Sequence, residues 1–150
     1  MSNTSITYVI HVAATSEQLW NALTSAEALA KNWGRIESTW TKGAPVSEVD
    51  ESGRVLWRGE VRRSEPPRVL SYTFDVTGIN EPTTDVTVEI GPPVSPTAPG
   101  SQVVQLRLTQ SGFADGSQLM AGCARAWPEI LSSVKTYLET GRPLGFAWKH

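Results

Sequence analysis

The chain has 150 residues, the size of one ordinary domain, so we expect a single domain over residues 1–150 that buries its own core. Its formal net charge of −2 and its scattered lysines and arginines argue against nucleic-acid binding, which needs a basic stripe. No apolar run reaches the roughly 18 residues that span a bilayer, no signal-peptide pattern starts the chain, and a single cysteine fits a reducing compartment. We therefore expect a soluble cytoplasmic protein.

The chain begins with a predicted strand and two short helices. Apolar residues at alternate positions over Ser5–Val12 predict a strand with one buried face. The capping-box spacing, in which a hydroxyl residue precedes Gln or Glu by three positions, occurs at Thr15 with Gln18 and at Thr24 with Glu27. These caps predict helices over Ser16–Leu23 and Ser25–Asn32, with Gly34 ending the second helix.

A meander of antiparallel strands follows from Arg35 to Val76, and we expect four strands in it. Its predicted turns lie at Lys42-Gly43, Glu51-Ser52-Gly53 and Pro66-Pro67. Two further alternating strands, Val86–Ile90 and Val104–Leu108, bring the sheet to six or seven strands. The proline-rich segment between them, Gly91–Gly100, is predicted to be a solvated loop.

The longest helical pattern runs over Asp115–Gly141. Its apolar residues fall within an arc of roughly 140°, the width of a core-facing stripe. They are Leu119, Met120, Cys123, Ala124, Trp127, Ile130, Leu131, Val134, Tyr137 and Leu138. Asp115 with Gln118 predicts the start of the helix and Gly141 its end. Pro128 removes one backbone hydrogen bond within the pattern and predicts a bend in a single continuous helix.

The order of these elements predicts the fold class. A strand, two short helices, an antiparallel run and one long C-terminal helix indicate an α+β fold in which a curved antiparallel sheet wraps around the long helix. The short helices have apolar residues that cannot be buried between themselves, so we expect them to close one edge of the sheet.

The sequence contains no signature of a metal, cofactor or catalytic site. Neither His11 nor His150 has a Cys, His or acidic partner at the spacing of metal ligands. A phosphate-binding glycine loop, a dinucleotide fingerprint and a nucleophile-elbow motif are all missing from the sequence. Cys123 lies within the apolar arc, where we expect it to be a small buried side chain that lines the interior rather than a reactive thiol.

Six charged residues in the predicted strands have two open interpretations. They are Glu48, Arg58, Glu60, Asp75, Glu89 and Arg107. The first interpretation places them on a solvated convex face or in cross-strand ion pairs, and the second directs one or two of them into an internal cavity, where they orient the polar end of a ligand. An enzyme would need such a group, and its candidates are Arg58, Glu60, Asp75 and Arg107. If all four face solvent, that alternative loses its candidates.

The chain is rich in large aromatic residues for its length. These rings either fill the core or form the walls of an apolar cavity, because large rigid rings suit both roles. The residues predicted to bind a ligand are Trp33, Trp57, Tyr72, Phe74, Phe113, Met120, Cys123, Trp127 and Leu131.

Three segments of the chain resemble the heat-shock protein 90 ATPase activator-like family, within the START and birch-pollen-allergen-like helix-grip superfamily. The segments are ITYVIHVAATSEQLWNALTSAEALAKNWG, LWRGEVRRSEPPRVLSYTF and SGFADGSQLMAGCARAWPEILSSVKTYLETG. The resemblance implies a helix-grip fold, whose apolar cavity between sheet and long helix holds lipids, sterols or polyketides in better-studied relatives. Asn32 stands where many members carry a tryptophan, which predicts a wider or wetter end of the cavity.

These observations favour a binding protein for an apolar or aromatic small molecule, such as a lipid, a sterol or a polyketide-like compound. An enzyme of the polyketide cyclase or aromatase kind is one alternative, and a chaperone ATPase cofactor is another. We disfavour a chaperone partner because the eukaryotic activators that the chain resembles carry an additional N-terminal domain. No cofactor is expected.

Overall fold

The structure is a computed structural model that describes residues 4–92 and 102–144. Within these residues the chain forms seven strands and three helices, which confirms the predicted α+β class. The strands are β1 (Thr4–Val12), β2 (Arg35–Glu37), β3 (Pro45–Val49), β4 (Val55–Glu65), β5 (Val69–Val76), β6 (Thr84–Ile90) and β7 (Val104–Phe113). The helices are α1 (Ser16–Thr24), α2 (Ala26–Asn32) and α3 (Gln118–Thr140). Most of the predicted loop Gly91–Gly100, and His150, lie outside the described residues.

All seven strands belong to one antiparallel sheet with the order β1-β7-β6-β5-β4-β3-β2. Consecutive strands from β2 to β7 are neighbours, as the predicted meander requires, and β1 pairs with β7. The sheet curves around α3, while α1 and α2 follow β1 and contact α3. The predicted helix-grip architecture is therefore confirmed.

The two short helices share one capping residue, Ser25, which is the C-cap of α1 and the N-cap of α2. The predicted capping box at Thr15 is confirmed, because its hydroxyl accepts a hydrogen bond from the Gln18 backbone and the Gln18 side chain accepts one in return. The predicted cap of α2 at Thr24 is wrong. Thr24 is still helical and its hydroxyl donates to the carbonyl four residues earlier, whereas Ser25 is extended and caps α2.

The N-terminus of α3 is capped by Ser117, so the predicted start at Asp115 with Gln118 is wrong. The Ser117 hydroxyl accepts a hydrogen bond of 2.9 Å from the Met120 backbone. Glu81, in the loop between β5 and β6, accepts one from the same hydroxyl and another of 3.0 Å from the backbone N–H of Gln118. The cap thus depends on a residue that is distant in sequence, which a local spacing pattern cannot detect.

Helix α3 is continuous across Pro128, as predicted. It ends at Gly141, which adopts the left-handed conformation with φ 84° that glycine accommodates without strain. Its buried side chains are Leu119, Cys123, Trp127, Ile130, Leu131, Ser133 and Val134, most of them from the predicted arc. None of the helices in the described ranges is both long enough and apolar enough to cross a membrane.

Candidate functional site

A cavity of about 230 Å³ lies between the N-terminal half of α3 and strands β4 and β5. Trp33, the C-terminal cap of α2, closes one side of it. The structure brings five of the predicted ligand-binding residues together here, namely Trp33, Trp57, Phe74, Cys123 and Trp127. The space between sheet and helix is therefore only partly filled by their side chains.

The other four predicted residues do not line this cavity. Tyr72 and Leu131 border a separate void of about 20 Å³ beneath the middle of α3. Phe113 is buried at the end of β7, and Met120 is half-buried on α3, and neither lines either space. Helical and strand periodicity identified the inward face correctly, but that face is wider than the cavity.

Several residues of the cavity wall were not predicted as binding residues. They are Glu48, Leu56, Val76, Ile79, Gln118, Leu119, Gly122, Ala126 and Ile130. The sequence held a signal for four of them. Val76 continues the alternation of β5, Glu48 alternates with Val46 in β3, and Leu119 and Ile130 lie in the apolar arc of α3. It held none for Ile79, which follows β5 in a turn and reaches the cavity only through the course of that loop.

The aromatic walls form one connected network. The Trp33 and Trp57 rings are stacked with centroids 5.6 Å apart, and Trp33 meets the Trp127 ring edge-on at 5.1 Å. Trp57 also contacts Phe74 at 4.5 Å and stacks on Tyr72 at 5.8 Å. These distances lie in the range of favourable ring contacts. The rings therefore support one another as core residues and still leave one side of the network open to the cavity.

Hydrogen bonds hold the Trp127 side of the wall in place. The indole N–H of Trp127 donates to Gln110 Oε1 at 2.8 Å, and Gln110 Nε2 donates to the Thr84 hydroxyl at 2.9 Å. That hydroxyl donates to the backbone carbonyl of Phe74 at 3.2 Å. All of these side chains are buried, and a fully satisfied buried network of this kind restricts the rings to one arrangement.

Glu48 is the buried acid of the cavity. Its side chain is on the inner face of β3, the residue is only 2% exposed, and its Oε1 accepts a hydrogen bond of 2.8 Å from Trp57 Nε1. The convex-face interpretation is therefore wrong for Glu48. The alternation with Val46, which is also buried, was a sequence signal for this placement.

The remaining charged candidates are on the outside of the sheet. Arg58, Glu60, Asp75, Glu89 and Arg107 are all exposed. Arg58 is opposite Asp75 in the register of β4 and β5, and Glu89 is opposite Arg107 in the register of β6 and β7. These positions fit the interpretation as cross-strand charge pairs. The enzyme alternative consequently loses the four groups on which it depended.

Burial sets the protonation of the two titratable groups beside Glu48. Burial raises the pKa of the Cys123 thiol to about 11, and a hydrogen bond with Gln110 offsets part of this increase. Burial also raises the pKa of Tyr72, with smaller contributions from Cys123 and Glu48. Both groups are neutral at physiological pH, so Cys123 is not a thiolate nucleophile there.

Asn32, which predicted a wider or wetter end of the cavity, lines the small void and not the cavity of about 230 Å³. It is fully buried, its Nδ2 donates to the Ala28 carbonyl at 3.0 Å, and its Oδ1 accepts from the Ser133 hydroxyl at 2.8 Å. The adjoining void of about 20 Å³ has room for roughly one water molecule. Asn32 therefore links α2 to α3.

The clusters of ligands that a metal ion requires do not occur in the described part of the chain. No three His, Cys, Asp or Glu side chains come together there. Of the two histidines, His11 is exposed on β1.

The Glu81 cap of α3 makes a testable contribution to stability in acid. The hydrogen bond from Ser117 and those from the Gln118 and Leu119 backbones lower the pKa of Glu81 below its ordinary value of 4.5. A lowered folded-state pKa means that the ionised form stabilises the fold above that value, and that this stabilisation is lost as the pH falls through the folded-state pKa. We expect Glu81→Gln to lower the melting temperature at pH 7, by an amount that shrinks below about pH 4.5.

Thermal unfolding followed by circular dichroism from pH 7 to pH 3 measures this effect. Glu37→Gln is a matched control, since it removes the same charge from an exposed residue of β2. Equal melting temperatures for wild type and Glu81→Gln at pH 7 would show that the cap does not stabilise α3.

Comparisons with known proteins agree with this architecture. A family model described as Activator of Hsp90 ATPase homolog 1-like protein matches residues 13–139. Among curated proteins, none matches the chain significantly.

Solved structures share the fold. A Mesorhizobium loti protein is 24% identical, with a TM-score of 0.75 over 91% of this chain and 97% of its own. An HSP90 activator from Plasmodium falciparum is 21% identical, with a TM-score of 0.70 over 93% of this chain and 97% of its own. A protein of the dynemicin biosynthetic locus is 21% identical, with a TM-score of 0.77 over 97% of this chain and 51% of its own. Identities this low establish similarity of fold alone.

Proposed function

The chain belongs to the family of Activator of Hsp90 ATPase homolog 1-like proteins, and on that basis we propose that it binds a small apolar or aromatic molecule in the cavity between α3 and the sheet. The observation that carries this proposal is the space of about 230 Å³ beside Trp33, Trp57, Phe74 and Trp127. Pockets of this composition, largely apolar with a few polar groups, are typical small-molecule sites.

The size of the cavity supports a small ligand. An engineered protein cavity of about 150 Å³ binds benzene, and drug-sized ligands occupy roughly 300–1,000 Å³. A cavity of about 230 Å³ thus suits a molecule of one or two aromatic rings, or one end of a longer molecule. A whole sterol or a long acyl chain exceeds it.

The rigidity of the walls supports binding as well. Trp127 is hydrogen-bonded through Gln110, and Trp57 through Glu48, so neither ring needs to be ordered when a ligand arrives. A site that is already ordered avoids the loss of side-chain entropy that otherwise weakens binding.

Cys123 provides a direct test, because it is the only cysteine of the chain and lines the cavity. We expect iodoacetamide to label it slowly, since a pKa of about 11 against an ordinary 9.0 lowers the thiolate fraction at pH 8 by about a hundredfold. A naphthalene-sized ligand should slow the labelling further and saturably, because it covers the thiol.

The rate of labelling is followed by mass spectrometry while the ligand is titrated. Half-protection should occur at the ligand concentration that half-quenches the tryptophan fluorescence. The unfolded protein controls for the intrinsic reagent rate. Labelling that stays unchanged at a saturating ligand concentration would place the ligand elsewhere and contradict the proposal.

A chaperone ATPase cofactor is the second candidate, favoured by the similarity of fold to the Plasmodium falciparum HSP90 activator. The two functions differ in a simple assay. Dose-dependent stimulation of a heat-shock protein 90 ATPase at micromolar concentrations would support the chaperone role. Native mass spectrometry of freshly purified protein tests the binding role, because a tightly held ligand adds a defined mass.

A further inference from the structure

Strand β1 forms one edge of the sheet and lacks the residues that usually protect an edge. It pairs with β7 on one side only. None of its nine residues is an aspartate, a glutamate, a lysine, an arginine or a proline. Natural edge strands are short, covered, or carry such residues, because an open edge otherwise pairs with another strand. The opposite edge has these protections, since β2 is three residues long and contains Arg35 and Glu37.

The register of the sheet establishes which backbone groups of β1 point outward. His11 is opposite Gln105 in β7, and the Gln105 carbonyl accepts a hydrogen bond of 2.8 Å from the N–H of Gly91, at the end of β6. The backbone groups of Gln105 are thus directed toward β6, so those of His11 point away from β7. Backbone direction repeats every second residue in an antiparallel pair. Thr7 and Val9 therefore also direct their N–H and C=O groups outward.

Helix α3 covers only the C-terminal end of this edge. Lys135 Nζ donates to the His11 carbonyl at 2.7 Å, and Glu139 Oε2 accepts from the N–H of Ala13 at 2.8 Å. Within residues 4–92 and 102–144, no comparable hydrogen bond reaches the outward backbone groups of Thr7 or Val9. The middle of the edge is therefore open to another strand.

The side chains beside the open edge are incompletely buried. Ile6, Tyr8 and Ile10 are on the α3 side of the sheet and are only half-buried, and Val9 on the other face is 44% exposed. The Tyr8 hydroxyl donates to the carbonyl of Ala124, an exposed residue, so the part of α3 next to this edge carries a small side chain. A strand added here would bury apolar area as well as form backbone hydrogen bonds.

We propose that the open edge of β1 pairs in antiparallel orientation with β1 of a second copy of this chain, with Thr7 opposite the same residue of that copy. In this register Ser5 is opposite Val9 and Ile6 is opposite Tyr8, so the outward N–H and C=O groups of each copy meet those of the other. The hydrogen bond between His11 and Lys135 is left intact.

A second copy suits this edge because the strand is complementary to itself. The Thr7 pair lies on a twofold axis, where two hydroxyl side chains form a favourable cross-strand pair, and no acidic, lysine or arginine side chain of β1 opposes its own copy. A contact of one strand with another is small, so we expect a weak dimer with a dissociation constant on the order of 10 µM. This inference does not depend on the proposed binding function.

Sedimentation equilibrium of the full chain from about 1 µM to about 500 µM tests for the dimer. Amide hydrogen exchange followed by NMR over the same range identifies the surface. We expect the outward N–H groups of Thr7 and Val9 to exchange more slowly as the concentration rises, because they become hydrogen-bonded in the dimer. The amides of β2, at the opposite edge, are the internal control and should not change.

The charge variants Thr7→Lys and Thr7→Glu test the register. Each places like charges opposite each other on the twofold axis, and we expect each to dimerise at least about tenfold more weakly than the wild type. An equimolar mixture of the two variants should associate again, because opposite charges then meet. Thr109→Lys is the matched control, since Thr109 is opposite Thr7 in the register of β1 and β7 and lies one strand further from the axis. It should dimerise like the wild type.

The outcomes decide the inference. A wild type that stays monomeric to about 500 µM would overturn it. Unchanged dimerisation of both charge variants would place the contact elsewhere on the molecule, and a mixture that fails to associate would refute the register at Thr7. If the charge variants do not fold by circular dichroism, the concentration dependence of exchange at Thr7 and Val9 in the wild type decides alone, and rates that do not vary with concentration would refute the pairing.

Discussion

Replacing Trp127 by alanine is expected to lower the free energy of unfolding by about 3–5 kcal/mol. The indole is only 4% exposed and contacts the Trp33 ring at 5.1 Å, so its removal takes a large apolar group out of the core. The change also deprives the buried Gln110 oxygen of its donor at 2.8 Å, and an unsatisfied buried acceptor adds its own cost. Urea denaturation with fluorescence from the remaining tryptophans measures the loss.

The same substitution should change which ligands are accepted. Trp127 borders both the cavity of about 230 Å³ and the void of about 20 Å³, so its removal joins them into one larger space. We expect the variant to bind three-ring aromatic molecules that the wild type excludes, because an enlarged apolar cavity can hold larger ligands.

Two further variants control this experiment. Trp40→Ala removes a buried indole that contacts Tyr72 edge-on and does not line the cavity, so it should lower stability without changing the preference for ligand size. Trp127→Phe keeps an aromatic ring but loses the hydrogen bond to Gln110 and part of the indole volume. A large loss of stability in Trp127→Ala with no ligand bound by either form would mean that α3 covers a filled core, and the proposed function would be wrong.

We expect Gly59→Ala to lower the free energy of unfolding by at least about 4 kcal/mol, a loss that is exceptional for a single substitution and indicates a specific structural cause. A Cβ atom at Gly59 would lie 1.7 Å from the backbone oxygen of Thr73 and 2.6 Å from its carbonyl carbon. Neither atom is free to rotate away, because Thr73 lies in the middle of β5 and its hydroxyl accepts a hydrogen bond from the Glu60 backbone. The two strands would have to separate beside the cavity wall.

Soluble yield, circular dichroism and urea denaturation measure this loss. Gly122→Ala is the matched control, because it makes the same change on an exposed surface of α3 with no atom within 4 Å. Alanine in a helix interior is better than glycine by about 0.5–1 kcal/mol, so that variant should gain stability. A free energy of unfolding for Gly59→Ala that lies within about 1 kcal/mol of the wild-type value would contradict the close approach of β4 and β5.

Much of the fold could be predicted from local patterns. The alternation of β1 and β7 and the long stripe of α3 place the correct residues inward, because side chains repeat every second residue in a strand and about every 3.6 residues in a helix. The caps at Thr15 and Gly141 were equally readable, since each depends on a few neighbouring residues. Alternation within β3 places Glu48 on the inner face, and alternation within β7 does the same for Gln110. Their burial could therefore be predicted from the sequence as well.

The long-range capping of α3 and the extent of the cavity depend on residues that are far apart in the chain. The N-terminus of α3 begins where Glu81, from a loop before β6, meets Ser117. Phe74 and Phe113 are both buried aromatic residues in strands, yet only Phe74 borders the open space. Periodicity decides which face a side chain is on, whereas an empty volume is what remains after side chains from several distant segments have packed together. For that reason the sequence patterns identified the inward face, and only the tertiary structure decided which part of that face stays open to a ligand.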